Sequence, residues 1–200
     1  MKKDSIHLKL LLAGVFLWIA ACSGKKGEES HDHAQHSPSG TEVSESNAQF
    51  AVSQDFQTQL GNVFAKYNAL KDAFVASDPE KVRAEAVSAS QAVADVDMKL
   101  LEGQAHSDWM TFLAPINGAL KQIEKSSDLE TQREAFSTLS DNLYKSIKAF
   151  GLGGKEAYYE FCPMAFNNEG AYWLSDSEKI RNPYFGDKML NCGIVKERLR

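Results

Sequence analysis

Cysteine is scarce in this chain, and no two of its three cysteines stand in a Cys-x-x-Cys arrangement. The usual signature of a thiol–disulfide oxidoreductase is therefore missing. No nucleophile, base and orienting residue fall into a spacing that would carry nucleophilic catalysis, so an enzymatic role is not expected. Basic residues are in the minority, 22 Lys and Arg against 27 Asp and Glu, and the net charge of −5 leaves no footprint for nucleic acid. Long hydrophobic runs are missing too: the apolar stretch from Leu8 to Ala21, broken by Lys9, is too short for a comfortable membrane span.

What that stretch does carry is the pattern of an export signal. Lys2 and Lys3 precede it, and it ends in Ile19-Ala20-Ala21-Cys22, which resembles the bacterial lipobox. Residues 1–21 are expected to be a lipoprotein signal peptide, with Cys22 acylated as the first mature residue. The protein is then lipid-anchored in the cell envelope, at the outer membrane rather than the inner, on its periplasmic or surface face. Cleavage removes three lysines and one aspartate, so the mature chain is more acidic still. Residues 22–48 are small and polar without apolar periodicity, the composition of a disordered tether. Within it His31, Asp32, His33 and His36 form a cluster able to capture a divalent transition metal weakly, because the flexible ligands must be ordered on binding.

From Phe56 the apolar residues recur with helical period. A first helix carries Phe56, Leu60, Val63, Tyr67, Leu70 and Phe74. A second has Asp78 as N-cap and Pro79 in its first turn, and reaches Leu100 before Gly103 ends it. The third, capped by Ser107, carries Trp109, Ile116 and Leu120, with a kink expected at Pro115. A capping box of Ser127 and Glu130 opens the fourth, which ends at Gly151. Short connections between four amphipathic helices predict a mainly α fold, an up-down four-helix bundle over residues 49–154. In that topology the turn between the second and third helices shares an end with the exit of the fourth, which makes His106 and Met98 candidate metal ligands there.

Residues 155–200 lose the helical period and predict a small cap of short strands and turns packed on the bundle, with strands at Ala157 to Phe161 and Ala171 to Leu174. The remaining two cysteines sit here, each near a methionine: Cys162-Pro163-Met164 and Met189-Leu190-Asn191-Cys192. On an extended strand residues i and i+2 share a face, and on a helical turn i and i+3 are neighbours, so four sulfurs can be presented as two pairs. Thiolate and thioether donors select Cu(I), with Ag(I) as a second candidate, over hard cations. The competing reading is a Cys162–Cys192 disulfide, worth about 3 kcal/mol for such a loop, in a structural or interaction lipoprotein without a metal.

Phe161-Cys162-Pro163-Met164-Ala165-Phe166, Gly170-Ala171-Tyr172-Trp173-Leu174-Ser175 and Asn182-Pro183-Tyr184-Phe185-Gly186, together with the upstream stretch Asp97 to Trp109, resemble an uncharacterised secreted domain family of Bacteroidetes-type bacteria. The resemblance covers roughly residues 55–196. That family also occurs fused to the C-terminus of periplasmic adaptors of RND efflux pumps of the copper/silver type. The resemblance implies a periplasmic metal-binding role linked to efflux; together with the sulfur donors, the expectation is a copper chaperone or sink whose partner is such an adaptor or another envelope copper protein.

Overall fold

The computed structural model describes residues 43–200. A short strand β1 (Ser44–Ser46) precedes four long helices, α1 (Gln54–Val75), α2 (Pro79–Ala94), α3 (Gly103–Lys125) and α4 (Leu129–Phe150). Strands β2 (Ala157–Cys162), β3 (Ala171–Ser175) and β4 (Ile194–Leu199) follow. The fold is thus mainly helical with a small C-terminal mixed sheet. The signal segment 1–21, Cys22 and the histidines His31, His33 and His36 lie outside the described residues.

Local chemistry explains where the helices start. The Ser53 hydroxyl accepts the Phe56 N–H at the head of α1, and the Asp78 carboxylate accepts that of Lys81 just before Pro79 opens α2. Two expected caps differ. α3 already begins at Gly103, so Ser107 is an interior residue whose hydroxyl donates to the Gly103 carbonyl. α4 is capped by Asp128 rather than Ser127: its carboxylate accepts both the Thr131 N–H, at 2.8 Å, and the Thr131 hydroxyl. An ionised acceptor binds these donors more strongly than a neutral hydroxyl. α2 stops at Ala94, short of Leu100, and Met98–Leu100 forms a separate 3-10 turn capped by Asp97. α3 runs on through Pro115.

Helices consecutive in the chain pack together, and α1 also meets α4. At one end Phe56 lies edge-on to both Trp109 and Phe150, with ring centroids 5.5 and 5.2 Å apart. Further along, Phe136 stacks on Tyr67 and tilts against Phe74. These rings are fully buried, each contributing roughly 1.5–3 kcal/mol by removal from water.

The sheet has the order β1-β4-β2-β3, with β1 parallel to β4 and the other pairs antiparallel. β1 belongs to the stretch whose composition suggested a tether. Its residues are polar and mostly exposed, so its place comes from backbone pairing and from ion pairs of Glu45 with Arg198 and Arg200. Gln49 and Phe50 then donate backbone N–H groups to the Ala149 carbonyl at the end of α4.

β3 lies along the seam between α1 and α4. The Leu174 N–H donates to the Tyr67 hydroxyl at 3.0 Å, and that hydroxyl is 2.7 Å from Ser140 Oγ on α4. One buried oxygen therefore ties two helices to an otherwise unpaired strand edge. On the neighbouring strand β2, Tyr159 stacks on Tyr144 of α4 at 3.8 Å and donates to the Asp141 carboxylate. Tyr67→Phe leaves the Leu174 N–H buried without an acceptor and should cost about 1–3 kcal/mol in chemical denaturation. A loss below about 0.5 kcal/mol would show that the seam does not depend on this group.

Candidate metal centre

Cys162 is the last residue of β2, and Cys192 stands two residues before β4. Antiparallel pairing places Phe161 opposite Ile194, so the register carries the two cysteines to the same end of the β2–β4 pair. Their sulfurs are 2.8 Å apart and both are free thiols. Cys162 is completely buried and Cys192 partly so.

The approach to Cys192 is held by Asn182, a fully buried side chain. Its Nδ2 donates to the Cys192 carbonyl and its Oδ1 accepts the Tyr184 N–H, both at 2.8 Å, while its own N–H donates to the Leu190 carbonyl. Every polar group of Asn182 that the loop needs is therefore used. Gly193 follows with φ of 152°, and a Cβ there would come within 2.7 Å of the Trp173 ring. A side chain at that position would push the cysteine loop off the sheet.

Burial, reinforced by the hydrogen bond with Cys162, pushes the Cys192 thiol up to about 11. At neutral pH this thiol is protonated, so a metal must displace its proton to bind. Two thiolates on one tetrahedral ion, with metal–sulfur bonds of about 2.3 Å, stand roughly 3.8 Å apart. Loading a metal therefore requires this pair to open by about 1 Å, whereas disulfide formation requires it to close towards about 2.05 Å.

The two methionines of the sulfur blocks meet elsewhere. Met164, 47 % exposed, and the partly buried Met189 line one cavity of about 430 Å³ with Glu130, Glu134, Phe166 and Tyr184, and neither cysteine lines it. The turn Ala165–Asn168 forms part of its wall with three consecutive left-handed residues, Phe166, Asn167 and Asn168. A bulky Phe at φ of 49° is a costly conformation, held here by the Phe166 ring meeting Tyr184 edge-on.

His106 and Met98 do not join either pair. His106 is in the first turn of α3, three residues before Trp109, which packs on Phe150 at the end of α4. The sulfur loops sit towards the start of α4, where Arg133 donates to the Pro183 carbonyl. With a rise of about 1.5 Å per residue, Arg133 and Phe150 are separated by roughly 25 Å along α4. The expected juxtaposition fails because the cap does not stay at the end where α4 exits but runs back along the bundle. Among the described residues no three His, Cys, Asp or Glu side chains converge as a metal cluster, so a centre here rests on two thiols and methionine sulfur.

Sequence reasoning passed over Glu160. It is fully buried, shares an inward face with Cys162, and is paired across the strands with Trp173. Neither carboxylate oxygen has a hydrogen-bond partner. Burial pushes its carboxyl up to about 8, against the opposing influence of the Lys71 ammonium and the Trp173 indole. Its i, i+2 relation to Cys162 was the available signal.

A family model described as "Protein of unknown function (DUF3347)" matches residues 63–155. Residues 63–155, most of the helical part, are thus similar to an uncharacterised family. The match runs from within α1 to Lys155 and stops before β2, so the cysteine and methionine loops lie beyond it. No curated protein and no solved structure matches the chain.

Because Glu160 ionises near 4.5 in an unfolded chain but near 8 when buried, folding loses stability as pH rises between those values. Thermal melts from pH 5 to 9 should show this decline. Glu160→Gln should match the wild type at pH 5 and exceed it by about 2–4 kcal/mol at pH 9. Parallel profiles for the two proteins would show that the carboxyl is not held neutral.

Proposed function

We propose that this chain is a lipid-anchored envelope protein that binds Cu(I), with Ag(I) as an alternative cargo, through Cys162 and Cys192. It acts as a chaperone or sink and hands metal to a heavy-metal RND efflux adaptor or another envelope copper protein. The observation that carries the reading is the meeting of two thiols, 30 residues apart, on loops that each also bring a methionine to a common cavity. Two thiols with two thioethers on the same loops are soft donors that suit Cu(I). The aromatic residues around it, Trp173 and Tyr184 among them, would keep water from a bound ion.

The four helices serve in this reading as a rigid up-down-up-down support. Antiparallel runs of α1 and α4 are supported by the pairing of Phe56 with Phe150 and of Phe74 with Phe136. Acylation at Cys22 would fix the support to the membrane, and His31, His33 and His36 would offer a weak site on the tether. His106 and Met98 have no part in the cysteine site. The link to efflux adaptors rests on the sequence resemblance.

A second reading is favoured by the 2.8 Å separation of the two sulfurs, which is closer than two ligands of one tetrahedral ion stand. In it Cys162 and Cys192 form a disulfide that staples the cap, and the protein serves as an interaction module. The two are separated by anaerobic Cu(I) titration of the full chain carrying Cys22→Ser against a chromophoric chelator, with thiols counted first. The copper reading expects two countable thiols, one equivalent held tightly on them, and at least tenfold weaker retention after Cys162→Ser or Cys192→Ser. Fully reduced, folded protein that fails to compete for copper would overturn it in favour of the disulfide.

A further inference from the structure

The cavity that holds Met164 and Met189 has a composition of its own. Both methionines come from the sulfur-bearing loops, yet neither Cys162 nor Cys192 lines it. Met164 is half exposed although it is a large apolar side chain, while the neighbouring Phe166 and Tyr184 close the apolar side of the cavity. Burying Met164 would have been the favourable use of it as a packing residue. The opposite wall is acidic. Glu130 is already paired with Arg133 at 2.7 Å, which leaves Glu134, without an ion pair, as the negative charge facing the cavity.

We propose that Met164 and Met189 form a second station for a soft monovalent cation, separate from the cysteine pair, in the Glu134-lined cavity beside the first turns of α4. This deepens the metal reading above and rests on it. Thioether sulfur carries no proton to displace and prefers soft ions to Mg²⁺ or Ca²⁺. The methionine pair can therefore take a cation independently of the cysteine pair, which does not line its cavity. The short links from Cys162 to Met164 and from Met189 to Cys192, the second turned back by a hydrogen bond from the Cys192 N–H to the Met189 carbonyl, keep the two stations on the same loops. Glu134 contributes field without acting as a ligand.

The test is an Ag(I) titration of the full chain carrying Cys22→Ser, His31→Ala, His33→Ala and His36→Ala, in chloride-free buffer, followed through [¹³C]methyl-methionine resonances. Met98 and Met110, both exposed, are internal controls. Two equivalents should bind. After Cys162→Ser with Cys192→Ser, one should remain, and the Met164 and Met189 methyls should shift together while Met98 and Met110 stay in place. Met164→Leu with Met189→Leu, a substitution that conserves volume, should leave one equivalent on the thiols. Glu134→Gln should weaken the methionine station by about two- to fivefold, the range of an exposed charge interaction. If the cysteine-free protein binds nothing, or all four methyls shift alike, the second station is overturned. The metal reading survives that result if the protein with both cysteines still takes up one equivalent, and falls with it if that protein takes up none.

Discussion

The Tyr67 hydroxyl is a buried polar link between the helical part and the cap. It accepts the backbone N–H of Leu174 from the edge strand and shares a hydrogen bond with Ser140 on α4, all in a buried seam. β3 has no further strand on that side, so its polar backbone must be satisfied by side chains, and Tyr184 serves the same purpose by donating to the Tyr172 carbonyl. Once β3 is fixed, β2 and β4 follow by pairing, and their register determines where Cys162 and Cys192 lie. The buried Tyr67 hydroxyl thus helps to seat the edge of the sheet whose β2–β4 register brings the two cysteines together.

The sheet places the cysteine pair, and burial holds the Cys192 thiol protonated. A thiol held protonated does not bind metal without losing a proton, and a fully buried partner does not meet one without movement. The loop before β4 carries two glycines at positive φ, Gly186 and Gly193. Gly186 sits where a Cβ would approach the Val75 carbonyl to 2.8 Å, at the junction of α1 with the cap.

Much of this was legible in the sequence. The apolar period marked all four helices, and Asp78-Pro79 fixed the start of α2. Other features were hidden for physical reasons. β1 is a run of polar residues that gains its place from backbone pairing with a strand about 150 residues away, which composition does not record. β4 carries Lys196, Glu197 and Arg198, and Glu197 is buried only because Lys148 and Tyr144 meet its carboxylate at 2.9 and 2.6 Å. Charge masked the alternation. The two sulfur blocks were recognisable as a unit, but their separation into a cysteine pair and a methionine pair depends on how the loop returns across Trp173. His106 was assigned to the wrong neighbourhood because helix order reveals which end α4 exits, not that the cap travels back from it.

X-ray absorption at the copper edge, on the reduced protein carrying Cys22→Ser and loaded with one equivalent of Cu(I), tests the central claim most directly. The account predicts a first shell made of sulfur alone, lost after Cys162→Ser with Cys192→Ser. A shell dominated by nitrogen or oxygen, or an unchanged spectrum in the cysteine-free protein, would contradict it.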